Sequence, residues 1–126
     1  FINDAFGSAH RKHASTAALA KKFRDKASIG FLIEKEIAIF DSLLKQPSEP
    51  FHAIIGGKKI DTKIGLIFAL LDKVQSLYIG GAMAFTFLKA QNISVGNSLV
   101  DENHIETARK IIKACEKKGI DLNLNK

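Results

Sequence analysis

Two short apolar runs, residues 51–55 and 77–79, each end in a pair of glycines, and they limit the possible folds more than any other feature. Apolar residues at helical spacing follow each run. A third helical pattern and a run with alternating polarity, residues 120–124, complete the chain. The order strand, helix, strand, helix, loop, helix, strand predicts an α/β fold with a Rossmann-like parallel sheet and crossover helices. Because the strands are apolar without interruption, we expect both faces of the sheet to be covered.

The first fifty residues follow a different pattern. Residues 31–45 carry apolar side chains at helical spacing, which predicts a helix, and Pro47 and Pro50 break the pattern after it. Residue 1 falls in the middle of a strand pattern, and Met83 is the only methionine. We therefore expect the chain to be a fragment of a longer protein.

Charge and cysteine content exclude few functions. The formal net charge is +6, and residues 1–26 hold a large part of the excess. A basic surface attracts phosphates, nucleic acid or anionic lipid, and charge alone does not choose among them. Cys115 stands alone, which favours a reducing compartment and excludes a disulfide within these residues. No apolar run has the length of a membrane-spanning helix, so we expect no membrane partner.

The first glycine pair, Gly56 and Gly57, lies where a strand is predicted to end and a helix to begin. Paired glycines let the backbone turn sharply and let an anion approach the exposed N–H groups. A helix start adds the positive end of its dipole. Lys59 and Lys63 are four residues apart, so on a helix they share one face. The pattern predicts a phosphate site, and its alternative is a plain turn with solvated lysines.

The second pair, Gly80 and Gly81, repeats the arrangement one strand later. Two such bends on neighbouring strands predict a crevice in which a base or a ribose fits, and the alternative is a tight turn packed against the first. Arg11 follows Gly7 in a basic stretch and suits bidentate recognition of a carboxylate or phosphate. Its alternative is a solvated surface arginine. His10 precedes it, but no further cluster of histidine or cysteine completes a metal site, so none is predicted.

Three stretches together resemble the phosphoglycerate kinase family. They read NDAFGSAHR at residues 3–11, GGKKIDTK at 56–63 and GGAMAFTFL at 80–88. Their order and spacing also fit, and the resemblance covers all 126 residues. It implies a two-domain glycolytic enzyme that moves a phosphoryl group reversibly between 1,3-bisphosphoglycerate and Mg-ADP, giving 3-phosphoglycerate and Mg-ATP. The magnesium ion is carried by the nucleotide.

The resemblance also implies a division of the chain. Residues 1–27 would close the N-terminal, phosphoglycerate-binding domain. Residues 28–50 would form the interdomain helix and linker, and residues 51–126 the first half of the C-terminal, nucleotide-binding domain. It further implies a cytoplasmic, monomeric parent enzyme without a nucleic-acid partner, and a fragment that is inactive alone.

Site residues follow from the same resemblance. Arg11 and Lys59 would be catalytic, Arg11 with His10 would bind the phosphoglycerate, and Lys59 would reach the transferring phosphoryl group. The nucleotide would be bound by Lys59 together with the following residues: Lys63, Gly57, Lys58, Gly80 and Gly81.

Two residues depart from the usual pattern of this family. Lys58 stands where a small residue is usual, and Ala82 stands where a third glycine is usual. If position 82 needs a positive φ, the alanine costs about 1 kcal/mol. Two further hypotheses stay open beside the kinase. One is a non-catalytic relative in which Lys58 and Ala82 are signs of decay, and the other is a basic module that binds nucleic acid through residues 11–26.

Overall fold

The structure, a computed structural model, describes residues 1–124. They form two compact units, one from Phe1–Pro47 and one that begins at Ser48. In the described part of the chain, no helix combines the length and the apolar composition needed to cross a membrane. The assignment of residues 1–27, 28–50 and 51–126 to separate parts of a two-domain kinase stays a prediction.

The first unit consists of a small parallel strand pair and three α-helices. Strand β1 pairs with β2 in register from Ile2 opposite Ser28. A π-helical turn precedes α2, and a 3-10 turn follows it. The bounds of the regular elements are β1 Ile2–Asn3, α1 Phe6–Ala9, α2 Leu19–Lys22, β2 Ser28–Ile29 and α3 Phe31–Lys45.

Helix α3 has the bounds predicted from its apolar spacing. Its first turn is capped from outside the helix, because the Asp4 carboxylate accepts the Ile33 N–H at 3.0 Å. Gly30 supplies the room for this contact, since a side chain there would overlap the Asp4 carboxyl group. The ring of Phe40 stacks on Phe6 with centroids 6.1 Å apart. A cap of this kind stabilises a helix by about 1 kcal/mol.

The second unit is a three-stranded parallel sheet with three helices. The strand order is β3-β4-β5, and Gly56 lies opposite Gly80 in the register. This confirms the predicted α/β fold with a parallel sheet and crossover helices. Short 3-10 turns lead into α4 and α6. The bounds are β3 His52–Gly56, α4 Ile64–Leu70, β4 Ser76–Gly80, α5 Met83–Ala90, α6 Ile105–Lys118 and β5 Asp121–Leu124.

The core of this unit lies on one face of the sheet. Right-handed crossovers that step in one direction along a sheet place their helices on the same side. Strand residues such as Ile55 and Leu77 accordingly join one buried cluster with Ile67, Phe87 and Ile111 of the three helices. This cluster fixes the strand ends and the helix starts relative to one another.

The opposite face of the sheet is open among the described residues. Ile54 is 83% exposed and Tyr78 is 40% exposed. The prediction that both faces are covered is therefore wrong for this chain. An apolar strand indicates that its faces become buried, but it carries no information on which segment buries them, and all three helices here pack on the other side.

A salt bridge joins the end of α6 to the turn after α4. The Lys118 ammonium donates a hydrogen bond to the Asp72 carboxylate. Gly119 then ends α6 with a φ of 67°, the left-handed conformation that glycine favours at a helix end. Hydrogen bonding and charge attraction from Lys118 hold the pKa of Asp72 below its usual range.

We expect this salt bridge to contribute pH-dependent stability. Because the pKa of Asp72 is lower in the folded state than in the unfolded state, its contribution is present above the unfolded pKa and is lost as the pH falls through the folded value. A carboxyl carbon NMR titration of Asp72 measures this pKa. Lys118→Gln should raise it towards the usual range, whereas Lys117→Gln should not. A pKa of Asp72 that is the same in the Lys118→Gln variant would contradict the assignment.

Candidate functional site

The two glycine bends lie side by side and touch through their backbones. Gly56 and Gly80 are partners in the sheet register, so both bends leave the sheet at the same edge. The Met83 N–H donates to the Gly57 carbonyl oxygen at 3.0 Å. A Cβ atom placed on Gly81 would lie only 2.8 Å from that same oxygen. At Gly81 the second bend is therefore packed against the first, as the alternative interpretation of this pair expected.

Position 82 does not need a glycine. Ala82 has a φ of −63° and a ψ of −23°, the ordinary right-handed helical region, directly before α5. The backbone cost that a positive φ would have brought is absent. Gly81 is the residue in this bend with the left-handed conformation, at a φ of 67°. The departure at Ala82 therefore gives no backbone reason to expect a damaged site.

Lys59 lies in the connection before α4 and not on a helix. Only a 3-10 turn, Asp61–Lys63, precedes the first residue of the helix, Ile64. The prediction that Lys59 and Lys63 share one helical face is therefore wrong. The Ile60 side chain is fully buried in the core, and the Asp61 carboxylate accepts the Thr62 N–H at 2.6 Å.

Lys63 nevertheless lies close to the first bend. Its Cε atom is 3.9 Å from the point that a Cβ atom on Gly57 would occupy. A side chain at position 57 would therefore press on Lys63 and on the Met83 sulfur, 3.7 Å away. The bare backbone of Gly57 and the ammonium-bearing chain of Lys63 thus stand next to each other, which suits an anion.

A cleft of about 500 Å³ opens beside this bend. One wall consists of Lys58, Lys59 and Asp61. The facing residues come from the connection between α5 and α6, and they are Leu99, Val100, Asp101, Glu102, Asn103 and His104. The volume falls in the range of ordinary small-molecule sites. Lys58 and Lys59 are the lining residues that the sequence predicted, and no motif in the sequence pointed to Asp61 or to residues 99–104.

Two lysines and three acidic side chains, Asp61, Asp101 and Glu102, line the cleft. Among the described residues, no acidic group forms an ion pair with Lys58, Lys59 or Lys63. The two acids on the facing wall lie near other basic side chains, since Asp101 Oδ2 is 2.9 Å from His104 Nδ1 and Glu102 Oε1 is 4.0 Å from Lys89 Nζ. His104 Nδ1 is buried and, among the described residues, makes no hydrogen bond. An ammonium without an internal partner attracts phosphate oxygens more strongly than one already paired.

His10 and Arg11 lie in the first unit with exposed side chains. Their backbone is held locally, since the Arg11 carbonyl accepts the Thr16 hydroxyl at 2.6 Å and the Arg11 N–H donates to Ser8. No group of three or more histidine, cysteine or acidic residues within the described ranges has the arrangement of a metal site. These hydrogen bonds use only backbone atoms of Arg11, so its exposed guanidinium can face solvent or a ligand.

Comparison with known proteins covers the whole chain. The family model for phosphoglycerate kinase matches residues 1–126. Over 124 residues the chain is 48% identical to the phosphoglycerate kinase of Anaeromyxobacter dehalogenans strain 2CP-C and 45% identical to that of Finegoldia magna. Each match covers 98% of this chain and 31% of the relative, so the chain spans about a third of their length.

Solved structures agree with this result. Phosphoglycerate kinase from Coxiella burnetii matches with a TM-score of 0.81 at 41% identity, over 98% of this chain and 32% of that one. The enzyme from Pyrococcus horikoshii OT3 shares the fold, with a TM-score of 0.79 at 24% identity over 97% and 31% of the two chains. With the family model matched from end to end, the chain belongs to the phosphoglycerate kinase family.

Proposed function

We propose that these residues work within a phosphoglycerate kinase, which transfers a phosphoryl group reversibly between 1,3-bisphosphoglycerate and Mg-ADP. The observation that carries the proposal is the set of three lysines, Lys58, Lys59 and Lys63, at the Gly57 bend and the adjoining cleft, none of which pairs with an acid of residues 1–124. Family membership supports this reaction, and the geometry of the bend and cleft supports a role in binding nucleotide phosphates.

Each residue has a role that its chemistry can perform. Phosphoryl transfer leaves little covalent work to a protein, so positioning and charge neutralisation carry most of the catalysis. Lys59 would neutralise the transferring phosphoryl group, and Lys63 with the Gly57 backbone would bind the nucleotide phosphates. Gly80 and Gly81 would shape the adenosine side of the site. Magnesium would enter with the nucleotide as part of the substrate.

The acid substrate would be bound by the other unit. Arg11 and His10 would contact 3-phosphoglycerate or 1,3-bisphosphoglycerate, because a guanidinium pairs with carboxylate and phosphate through two parallel hydrogen bonds. We further propose that the full-length enzyme is a cytoplasmic monomer. The 126-residue chain alone should show no turnover.

Lys58 would give this enzyme an additional cation. The side chain lines the same cleft as Lys59, where the resemblance leads one to expect a small residue. In that position it favours retained nucleotide binding over decay of the site, since an added positive charge attracts phosphates.

A direct assay tests the proposal. The full-length protein that contains these 126 residues is incubated with 3-phosphoglycerate, ATP and magnesium, and formation of ADP is followed. We expect turnover that requires the acid substrate, with none from the 126-residue chain. A full-length protein that binds ATP but does not turn over would identify a non-catalytic relative. Tight, steeply salt-dependent binding of RNA or DNA without kinase activity would favour the nucleic-acid module.

A further inference from the structure

The second wall of the cleft is built from a segment with little regular structure. Residues 91–101 connect α5 to the 3-10 turn before α6, and residues 99–104 form the wall. A binding surface keeps its geometry only when it is tied to rigid elements. We propose that the hydroxyl group of Thr86 provides this tie and makes Thr86 a positioning residue for the nucleotide. The inference rests on the function proposed above.

Thr86 is a buried polar residue on an otherwise apolar helix face. It is 1% exposed, and its Oγ1 atom accepts the Asp101 N–H at 3.0 Å. The other buried residues of α5 are Met83, Ala84, Phe87, Leu88 and Ala90. A buried hydroxyl group is costly unless it is hydrogen-bonded, and a valine of the same shape would fill the space equally well. The contact with Asp101 is therefore the feature that distinguishes threonine at this position.

The hydrogen bond between Thr86 and Asp101 holds the residue that begins the 3-10 turn of the wall. Asp101 lies directly before the 3-10 turn Glu102–His104, and its carbonyl oxygen accepts the His104 N–H at 3.0 Å. Its carboxylate lies 2.9 Å from the His104 imidazole. Anchoring the amide of Asp101 thus anchors the whole turn that faces Lys59 across the cleft.

A second tie to α5 is much weaker. The Lys89 ammonium lies 4.0 Å from the Glu102 carboxylate, and the two side chains are 49% and 67% exposed. Exposed ion pairs of this kind contribute little, because water and salt screen them. Of these two side-chain contacts between the wall and α5, the part-buried bond between Thr86 and Asp101 is therefore the stronger.

Loss of the tie should appear as weaker nucleotide binding. A displaced wall changes the fit of the nucleotide in the ground state and the transition state alike, which raises KM and leaves kcat unchanged. The acid substrate does not contact this wall under the proposed function, so its KM should not change. A residue with a merely structural role would instead lower the apparent kcat through the folded fraction and leave both KM values unchanged.

The test uses a matched pair of variants in the full-length protein. Thr86→Val removes the hydroxyl group and keeps the shape, and Thr86→Ser keeps the hydroxyl group. We expect Thr86→Val to raise KM for Mg-ATP about tenfold, the size of one lost hydrogen bond, with kcat and KM for 3-phosphoglycerate within about twofold. Thr86→Ser should stay within about twofold of the unsubstituted protein in all three.

Several outcomes would overturn the inference. They are an unchanged KM for Mg-ATP in Thr86→Val, with or without a fall in the apparent kcat, a similar rise in KM for both substrates, or a Thr86→Ser variant that behaves like Thr86→Val. If the unsubstituted protein has no kinase activity, the proposed function fails instead, which is a separate result. If Thr86→Val does not fold, amide hydrogen exchange of the unsubstituted protein decides. The Asp101 amide should exchange more slowly than that of Asn97 and slow further with Mg-ATP, and equal rates would overturn the inference.

Discussion

Replacing Lys59 with alanine should lower kcat for phosphorylation of 3-phosphoglycerate by about a hundredfold or more in the full-length protein. Lys59 lines the cleft beside the Gly57 bend and, in the described part of the chain, forms no ion pair. Its charge is therefore available to the phosphoryl group. Negative charge shifts among the phosphoryl oxygens as the transition state forms, and a preorganised cation stabilises that arrangement without reorganisation of water.

Steady-state rates at saturating Mg-ATP and 3-phosphoglycerate measure this effect on kcat separately from binding. Lys113→Ala is the matched control, because Lys113 is an exposed lysine on α6 that does not line the cleft. We expect its kcat to remain within about twofold of the unsubstituted protein. A Lys59→Ala variant with unchanged kcat would remove Lys59 from the catalytic residues.

Replacing Gly81 with alanine should destabilise the second unit by about 3 kcal/mol and weaken nucleotide binding. The φ of 67° is unfavourable for alanine, and its Cβ atom would lie 2.8 Å from the Gly57 carbonyl oxygen and 3.1 Å from the Gly57 nitrogen. Backbone atoms cannot rotate away as a flexible side chain can. The bends must therefore separate, which also weakens the 3.0 Å hydrogen bond from Met83 to Gly57.

Urea denaturation, followed by a probe in the second unit, measures the loss as a lower midpoint. Gly80→Ala is the control within the same bend, because a Cβ atom there meets no heavy atom within 4 Å. We expect the control to change the stability by less than about 1 kcal/mol. Equal midpoints for the Gly81→Ala variant and the unsubstituted protein would show that the bends tolerate separation.

Elements that depend on local sequence patterns could be predicted from the sequence. The apolar spacing in residues 31–45 predicted the bounds of α3, and the structure confirms them. The parallel sheet followed from the alternation of strands and helices, because parallel neighbours need a crossover between them. Local periodicity and backbone preferences determine these features almost alone.

Features that depend on distant contacts were not predictable in the same way. Helix α4 begins at Ile64, later than the spacing of Lys59 and Lys63 suggested, and Ile60 before it is buried in the core. The spacing of the lysines does not reveal that burial. The second wall of the cleft depends on a hydrogen bond between Thr86 and Asp101, fifteen residues apart across an irregular connection. The open sheet face likewise depends on which segments supply covering helices, and no strand sequence contains that information.

The central claim is that Lys59 and Lys63, at the first glycine bend, face an anionic nucleotide. Titration of the isotope-labelled full-length protein with Mg-ADP, followed by amide NMR shifts, tests it most directly. We expect the largest shifts at Gly57, Lys59 and Lys63 and in residues 99–104, with saturation at a single dissociation constant. Saturable shifts confined to other parts of the protein, with these amides unmoved, would contradict it.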